Sequence, residues 1–559
     1  MANLVSPGVQ VKEIDLTNVV PSVSSTIGGM AGAFTWGPAD EIVTVTSETQ
    51  LVEKFGQPDA NTFESVLSAS QFLSYGNNLK VVRATGTSAR NATASGTGIL
   101  TQNKTVFDGQ TPAAGDWTQA RYPGVTGNAV GVSVATATQA LTAWQATHVE
   151  SIAGTSAGAA AVGGSNDEIH IFVYDTNGTI TGTEGTILEK FTYLSQASDV
   201  KGTSGESLYY KDVVNSQSEW VYIGNHPAAL TDAGESATSN AFTNVASFYI
   251  ALSGGIDDNV LTVGETTTAL AYFADAETMD MSLMFQSNSS LSATDNITLS
   301  NYITALCAAR KDAVGFVSPE RAATVNVTAA AALTAIAAWR TGATSTSYGF
   351  ADSGSLYVYD KYNDVYRWIC AAGSTAGLTA NADLVADAWF SPAGFTRGNV
   401  RNVTKLAYNP NQADRDALYK TGVNPIVTFP GAGTVLFGDK TLQAKPSAFD
   451  RINVRRLFIV LEKAVSVASK ASLFEFNDEF TRAQFRNMVE PFLRDVQGRR
   501  GITDFKVVCD GTNNTGNIID TNKFVADIYV KPARSINYIT LNFIATRTGV
   551  EFSEVAGGN

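Results

Sequence analysis

The chain has 559 residues, too many for one compact core, and roughly three or four domains are expected at this length. Charged residues make up only 16% while hydrophobic residues stand at an ordinary 44%; a surface covered by Thr, Ser, Asn, Gly and Ala suits wide protein–protein contact, because few charges must be desolvated. The net charge of −14 disfavours general nucleic-acid binding, and Cys307, Cys370 and Cys509, far apart and odd in number, give neither a disulfide framework nor a metal spacing and fit a reducing compartment.

The chain opens on Ser6-Pro7-Gly8-Val9-Gln10-Val11-Lys12-Glu13-Ile14-Asp15. Pro7 and Gly8 block a helix, and Val9 and Val11 alternate with polar residues as in a half-buried strand, with Leu16 further along as a candidate to join it. A lone strand leaves its backbone groups unsatisfied, so it pairs either with its own domain or with another copy. Met1 to Val5 lacks the basic start of a secretory signal. Ser22 to Phe34 is small and apolar, and Trp36-Gly37-Pro38 turns the chain. Glu41 to Val45 reads as a strand, Ser47 opens a helix through Phe55 that Gly56 ends, Thr62 to Tyr75 is a second helix, and Lys80 to Arg83 a strand.

From Gly86 to Glu219 the texture changes: Gly, Thr, Ser and Ala dominate, and alternating runs such as Ile169 to Tyr174 precede turn residues at Asp175 to Thr179, as in an all-β insertion. Mixed texture returns near Trp220. Asn301 to Lys311 reads as a helix leading into a strand at Ala313 to Val317, and Ala322 to Trp339 as a buried helix of a soluble protein. Asn453 to Phe474 is a long apolar helix, followed by a second to Gln497, then strands at Phe505 to Cys509, Lys523 to Val530 and Ile536 to Thr546, the last with Ile539, Leu541 and Phe543 on one face. From Lys440 onward 17 Lys and Arg face 13 Asp and Glu, so the acidity lies upstream. A basic terminal module facing an acidic partner and ordinary scatter of surface charge both accommodate that asymmetry.

The expected fold class is a multidomain α+β and α/β chain. An N-terminal extended arm spans 1–21, a middle α/β domain 22–85 with 220–400, a mostly β outer insertion 86–219, an α+β inner domain 401–545, and a C-terminal arm 546–559. No fixed-period repeat marks a solenoid.

Catalytic patterns are wanting. Gly431 to Thr441 nearly matches a phosphate-binding loop, but Asp439 stands where the frame from Gly433 needs Lys, with Lys440 one place late; a carboxylate there repels phosphate, and a turn between two strands fits better. Leu252 to Asp258 has glycines beside acids without a dinucleotide frame. His148, His170 and His226 are far apart, and pairs such as Asp257-Asp258 and Asp478-Glu479 suit turns and helix starts. The sequence therefore supports neither an enzyme nor a cofactor or metal site.

Several of these stretches resemble the tail sheath proteins of contractile-tailed bacteriophages, particularly the large T4-like myoviruses. They are Ser6 to Val9 with Lys12 to Asp15, Phe34 to Ala39, Arg121-Tyr122-Pro123-Gly124-Val125-Thr126-Gly127-Asn128, Leu252 to Gly255, Arg310 to Val314, Trp389 to Gly394, Phe437 to Leu442, Asn453 to Leu457, Phe474 to Asp478, and Val530 to Ala533. Each is short, but their order runs from Ser6 to about Ala533, with the sparsest cover over 86–219.

The resemblance implies a structural subunit that polymerises as stacked hexameric rings around a tail tube, contracts to drive the tube through the host envelope, and meets baseplate and tail terminator proteins. It implies no nucleic acid, no direct membrane insertion and no cofactor. The particle is expected to be a virion tail, assembled in the host cytoplasm. It also implies strand exchange between subunits by the two arms, with Val9, Val11, Ile14, Leu16, Ile539, Leu541 and Phe543 as the exchanging residues; an arm of about 20 residues reaches roughly 65–70 Å. Lys463 and Lys470 are expected to face the tube. A phage-tail-like bacteriocin or another contractile injection system carries a similar sheath, and a surface-lattice protein is the rival of another class.

Overall fold

A computed structural model describes residues 23–112, 115–137, 139–149, 151–243 and 247–537. The arms expected at 1–21 and 546–559, with Val9, Val11, Ile14, Leu16, Ile539, Leu541 and Phe543, lie outside the described residues. The chain divides into two compact units between Leu473 and Phe474.

The first unit opens with β1 (Gly28–Gly32), β2 (Ile42–Val45), α1 (Glu48–Phe55), α2 (Phe63–Leu73) and β3 (Leu79–Arg83). A β-rich region follows, with β4 (Thr118–Ala120), β5 (Val130–Thr136), β6 (Glu168–Asp175), β7 (Ile187–Ser195), β8 (Val221–Ile223) and β9 (Phe248–Ala251). The chain then continues through α3 (Val263–Ala271), β10 (Leu283–Phe285), α4 (Ala293–Arg310), β11 (Val314–Val317), α5 (Ala329–Gly342) and β12 (Gly349–Asp352). After these come β13 (Ser355–Asp360), β14 (Val365–Cys370), α6 (Ala372–Val385), β15 (Lys405–Leu406), α7 (Gln412–Thr421), β16 (Val423–Asn424), the hairpin β17 (Ile426–Phe429) and β18 (Gly433–Leu436), and α8 (Ile452–Ser469).

The main sheet runs β16-β12-β11-β10-β1-β3-β2, parallel throughout except for β2 at its edge. Alternate residues feed two cores, as the two-residue period of a strand requires. Met30, Val81, Phe285, Phe316 and Phe350 pack on one face with α2 and α6. Ala31, Val82, Met284, Val317 and Ala351 pack on the other with α3, α4 and Trp339 of α5. This is the three-layer arrangement of a sheet buried on both faces.

The small apolar stretch after Ser22 becomes an interior strand of this sheet, with α2 pressed closely on it. A Cβ on Gly28 would lie 2.5 Å from the Phe72 ring, and one on Gly32 2.5 Å from Ser65 Oγ. Close packing also explains α6, most of whose residues are buried: a Cβ on Gly373 would lie 2.5 Å from the Ser68 carbonyl oxygen of α2.

The β-rich region holds an antiparallel sheet, β7-β6-β5-β9, and a two-stranded ladder, β4-β8, around its own core of Val132, Ile171, Tyr210 and Ile223. Its pairing carries past residue 219: β9 pairs with β5, and bridges Thr93↔Ser253 and Arg90↔Ile256 close its neck. Arg83, 1% exposed at the end of β3, stands at that neck. Its guanidinium donates to the carbonyls of Phe34 (3.0 Å), Gly37 (2.8 Å) and Pro123 (2.7 Å), and burial without a bonded carboxylate lowers its pKa to about 10.

Helix α8 belongs to the first unit, because Ile452 and Ile459 enter the main core and Arg456 forms a buried ion pair with Asp383. The grouping of 401–545 drawn from the sequence is thus cut at Leu473. The helix stops at Ser469 and tightens into a 3₁₀ turn at Lys470–Ser472, short of the expected Phe474.

The second unit holds α9 (Glu479–Gly498), β19 (Ile502–Val508) and β20 (Asp527–Pro532). Asp478 caps α9 by accepting from the Thr481 N–H (2.8 Å). Phe485, Met488, Val489, Leu493 and Val496 are buried along α9, a spacing of three and four residues that makes one helical face, and Ile502 and Val507 of β19 are buried with them. No helix among the described residues is long and apolar enough to cross a membrane.

Candidate assembly surfaces

Open parallel sheets bind small ligands beyond the carboxyl ends of their strands, where neighbouring connections diverge. Here that place lies between β1 and β10, and it is filled. Ser287 Oγ donates to the Ala31 carbonyl, and Gln286 Oε1 accepts from the Ser318 N–H (3.3 Å). Asp352 accepts from Ser318 Oγ (2.6 Å) and the Gly354 N–H (3.0 Å), and Glu64 from the Ser289 N–H (2.9 Å). Burial pushes the Asp352 carboxyl up to about 7 and raises Glu64 as well, in spite of these donors. Gln286, Ser318 and Asp352 are all 0% exposed and bonded within this network as structure, while among the described residues the buried Glu64 Oε2 accepts no hydrogen bond and lies 3.6 Å from the Arg321 guanidinium.

The near match to a phosphate loop is the turn of the β17–β18 hairpin and the segment after it. Asp439 pairs with Arg451 (3.2 Å), and Lys440 Nζ donates to the Tyr419 carbonyl (2.7 Å), so neither is directed at a phosphate. Asp257 and Asp258 accept from the backbone N–H groups of Val125 (2.9 Å) and Ser88 (3.0 Å) at the neck of the β-rich region. His170 accepts from the Tyr193 N–H (3.0 Å), His226 meets the Tyr210 hydroxyl (2.6 Å), and His148 packs on Trp144. Among the described residues no three His, Cys, Asp or Glu side chains gather to hold a metal ion.

Surfaces suited to protein contact are better marked. β19 and β20 pair antiparallel from Val508↔Asp527 to Ile502↔Pro532, and among the described residues no third strand joins them. A two-stranded ladder is marginal by itself, and each outer edge presents unpaired N–H and C=O groups. The same unit exposes Phe476 (84%), Phe480 (76%) and Tyr529 (61%). On the first unit, Lys463 forms an ion pair with Asp280 and donates to the Ser24 carbonyl (3.2 Å), whereas Lys470 is exposed in the turn after α8.

The pair Arg456–Asp383, 4% and 5% exposed, is a buried contact that sequence patterning does not reveal. Arg456 also donates to the Ser25 carbonyl (3.0 Å) just before β1. An arginine within an apolar helical run is its one sequence signal.

Family models cover most of the chain: the tail sheath protein Gp18 domain III N-terminal region matches residues 25–84, the phage tail sheath protein central domain 259–442, and the phage tail sheath C-terminal domain 444–546. The tail sheath protein of Vibrio phage KVP40 is 34% identical, over 99% of this chain and 100% of the relative. The chain belongs to the phage tail sheath family. The tail sheath protein of Enterobacteria phage T4 is 33% identical over 99% of each chain. In fold, the chain resembles the crystal structure of the sheath tail protein Lin1278 from Listeria innocua, with a TM-score of 0.57, 13% identity, and cover of 92% of this chain and 93% of that one. The family ranges leave 85–258 outside them, the stretch that holds the β-rich region.

Proposed function

We propose that this chain is the structural subunit of a contractile phage tail sheath. Copies stack as hexameric rings around a tail tube, a head-to-tail contact that builds a filament instead of a closed dimer. They assemble in an extended state of higher energy and repack into a shorter, wider one, driving the tube through the host envelope. Rigid-body movement between copies suffices, with no hydrolysis or cofactor. Even about 1 kcal/mol per subunit becomes a large output when summed over a whole sheath. The proposed partners are other copies, the tube, the baseplate and a tail terminator; the place is the virion tail, after assembly in the host cytoplasm.

The β19–β20 ladder carries this reading. Its two open edges suit the addition of one strand each, and the chain has an alternating segment at either end to supply them. Main-chain pairing persists while the bodies it joins tilt, so a lattice laced in this way changes shape without falling apart. Val9, Val11, Ile14 and Leu16 of one neighbour and Ile539, Leu541 and Phe543 of another are the proposed additions. Lys470 is the more available of the two lysines proposed to face the tube, since Lys463 already has an acid beside it.

Deleting Met1 to Val20 tests the reading. The truncated chain is expected to stay folded and soluble by circular dichroism and to form no striated tubes under negative stain. Normal tubes from that truncation would overturn the strand-exchange mechanism.

A further inference from the structure

Between residues 388 and 413 the chain carries Arg397, Arg401 and Lys405 and no acid. Among the described residues none of the three has a carboxylate partner. Arg397 lies over the Phe390 ring (5.3 Å) and donates to the Ser391 carbonyl (2.8 Å). Arg401 lies over Tyr75 (4.8 Å) and donates to the Ser74 carbonyl (2.7 Å). Lys405, at the edge strand β15, lies over Tyr357 (4.6 Å) and Trp368 (5.5 Å). Aromatic rings hold these cations in place without neutralising them.

Beside this track the sheet β14-β13-β15 presents an aromatic face. Tyr357 contacts Trp368 (ring centroids 4.5 Å apart) and stacks on Tyr366 (5.3 Å), and Tyr366 is 50% exposed. The rings continue into a cavity of about 420 Å³ whose walls include Tyr366 and Trp368. Tyrosine, tryptophan and arginine in one patch are the composition of strongly contributing residues in protein interfaces.

A matching surface of opposite charge is present in the same chain. Residues 86–258 hold sixteen Asp and Glu against six Lys and Arg, a balance of −10 out of the chain's −14. Glu184 and Glu206 are among the exposed acids. The geometry points to the Arg397–Arg401–Lys405 track and its aromatic face as a docking surface for the acidic β-rich region of a second copy. This rests on the reading of the chain as a self-assembling subunit. Complementary charge steers and registers the contact, and the desolvated rings hold it.

The test uses the full-length chain with the photoreactive residue p-benzoylphenylalanine in place of Tyr366. Isotopically light and heavy copies are mixed, assembled and irradiated, and crosslinked peptides are identified by mass spectrometry after polymer has been recovered by sedimentation. Light–heavy crosslinks landing within residues 86–258 are expected. A double charge reversal, Arg401→Glu with Lys405→Glu, is expected to cut their yield at least tenfold at physiological salt while the monomer's melting temperature stays the same. Polymer that crosslinks elsewhere, within one copy only, or to a different protein would overturn the proposal, as would a crosslink yield indifferent to the reversal. If no polymer sediments, the self-assembly reading fails and takes this one with it.

Discussion

Replacing Asp352 by Asn is expected to stabilise the first unit at alkaline pH and to lose that advantage in acid. The carboxyl is 0% exposed, has no cation bonded to it, and accepts only from Ser318 Oγ (2.6 Å) and the Gly354 N–H (3.0 Å). Burial raises its pKa from 3.8 to about 7. A folded-state pKa above the unfolded one means that the native state binds the extra proton: stability is fully present below pH 3.8 and is lost as pH rises through 7. About three pKa units correspond to a charged-form penalty on the order of 4 kcal/mol above neutrality. Asn keeps the shape and an acceptor and cannot ionise. Scanning calorimetry of unpolymerised parent and Asp352→Asn at pH 5 and pH 8 checks this. The variant should melt several degrees higher at pH 8, and the gap should shrink sharply at pH 5; other titrating groups cancel in the difference. A gap equal at the two pH values, or a variant less stable at pH 8, would refute the claim that burial holds this carboxyl protonated.

Three further outcomes follow from the packing. Gly373→Ala should destabilise by about 1–3 kcal/mol in urea melts, because overpacking against the Ser68 carbonyl outweighs the roughly 1 kcal/mol gained in helix propensity. Removing one member of the buried Arg456–Asp383 pair should cost about 3–5 kcal/mol, and Arg456→Met with Asp383→Leu distinctly less than the two single changes summed, as a double-mutant cycle would measure. Pro491 sits exposed inside α9 and leaves the Asn487 carbonyl without its usual donor; Pro491→Ala should stabilise that helix by about 1–3 kcal/mol, seen as slower amide hydrogen exchange along it.

What the sequence disclosed tracks how locally each element is determined. Ser47 at the start of α1, accepting from the Gln50 N–H, is a local signal, as are the turn residues of the β17–β18 hairpin. β1 and α6 were not legible in the same way. Their glycines and alanines carry poor strand or helix signals and exist to let neighbours approach, a fact that only the assembled layers supply. The end of α8 shows the opposite failure, apolar pattern running on past the point where the backbone turns. The fold that frames the lysines was thus partly readable, but the Asp280 partner of Lys463 lies 183 residues away and leaves no trace in periodicity. The buried arginine at the neck was visible only as one basic residue ending an apolar strand.

That arginine also sets how the molecule bears load. Phe34 and Gly37 follow β1, and Pro123 lies within the β-rich region, so one desolvated cation at the end of β3 ties the outlying lobe to two neighbouring strands of the main sheet. A tug on the lobe is handed directly to β1 and β3 and bypasses the peripheral loops. The lobe and sheet should therefore travel together as a single lever, joined at the neck by the Pro123 bond of a cation that the Phe34 and Gly37 carbonyls hold fixed on the sheet side.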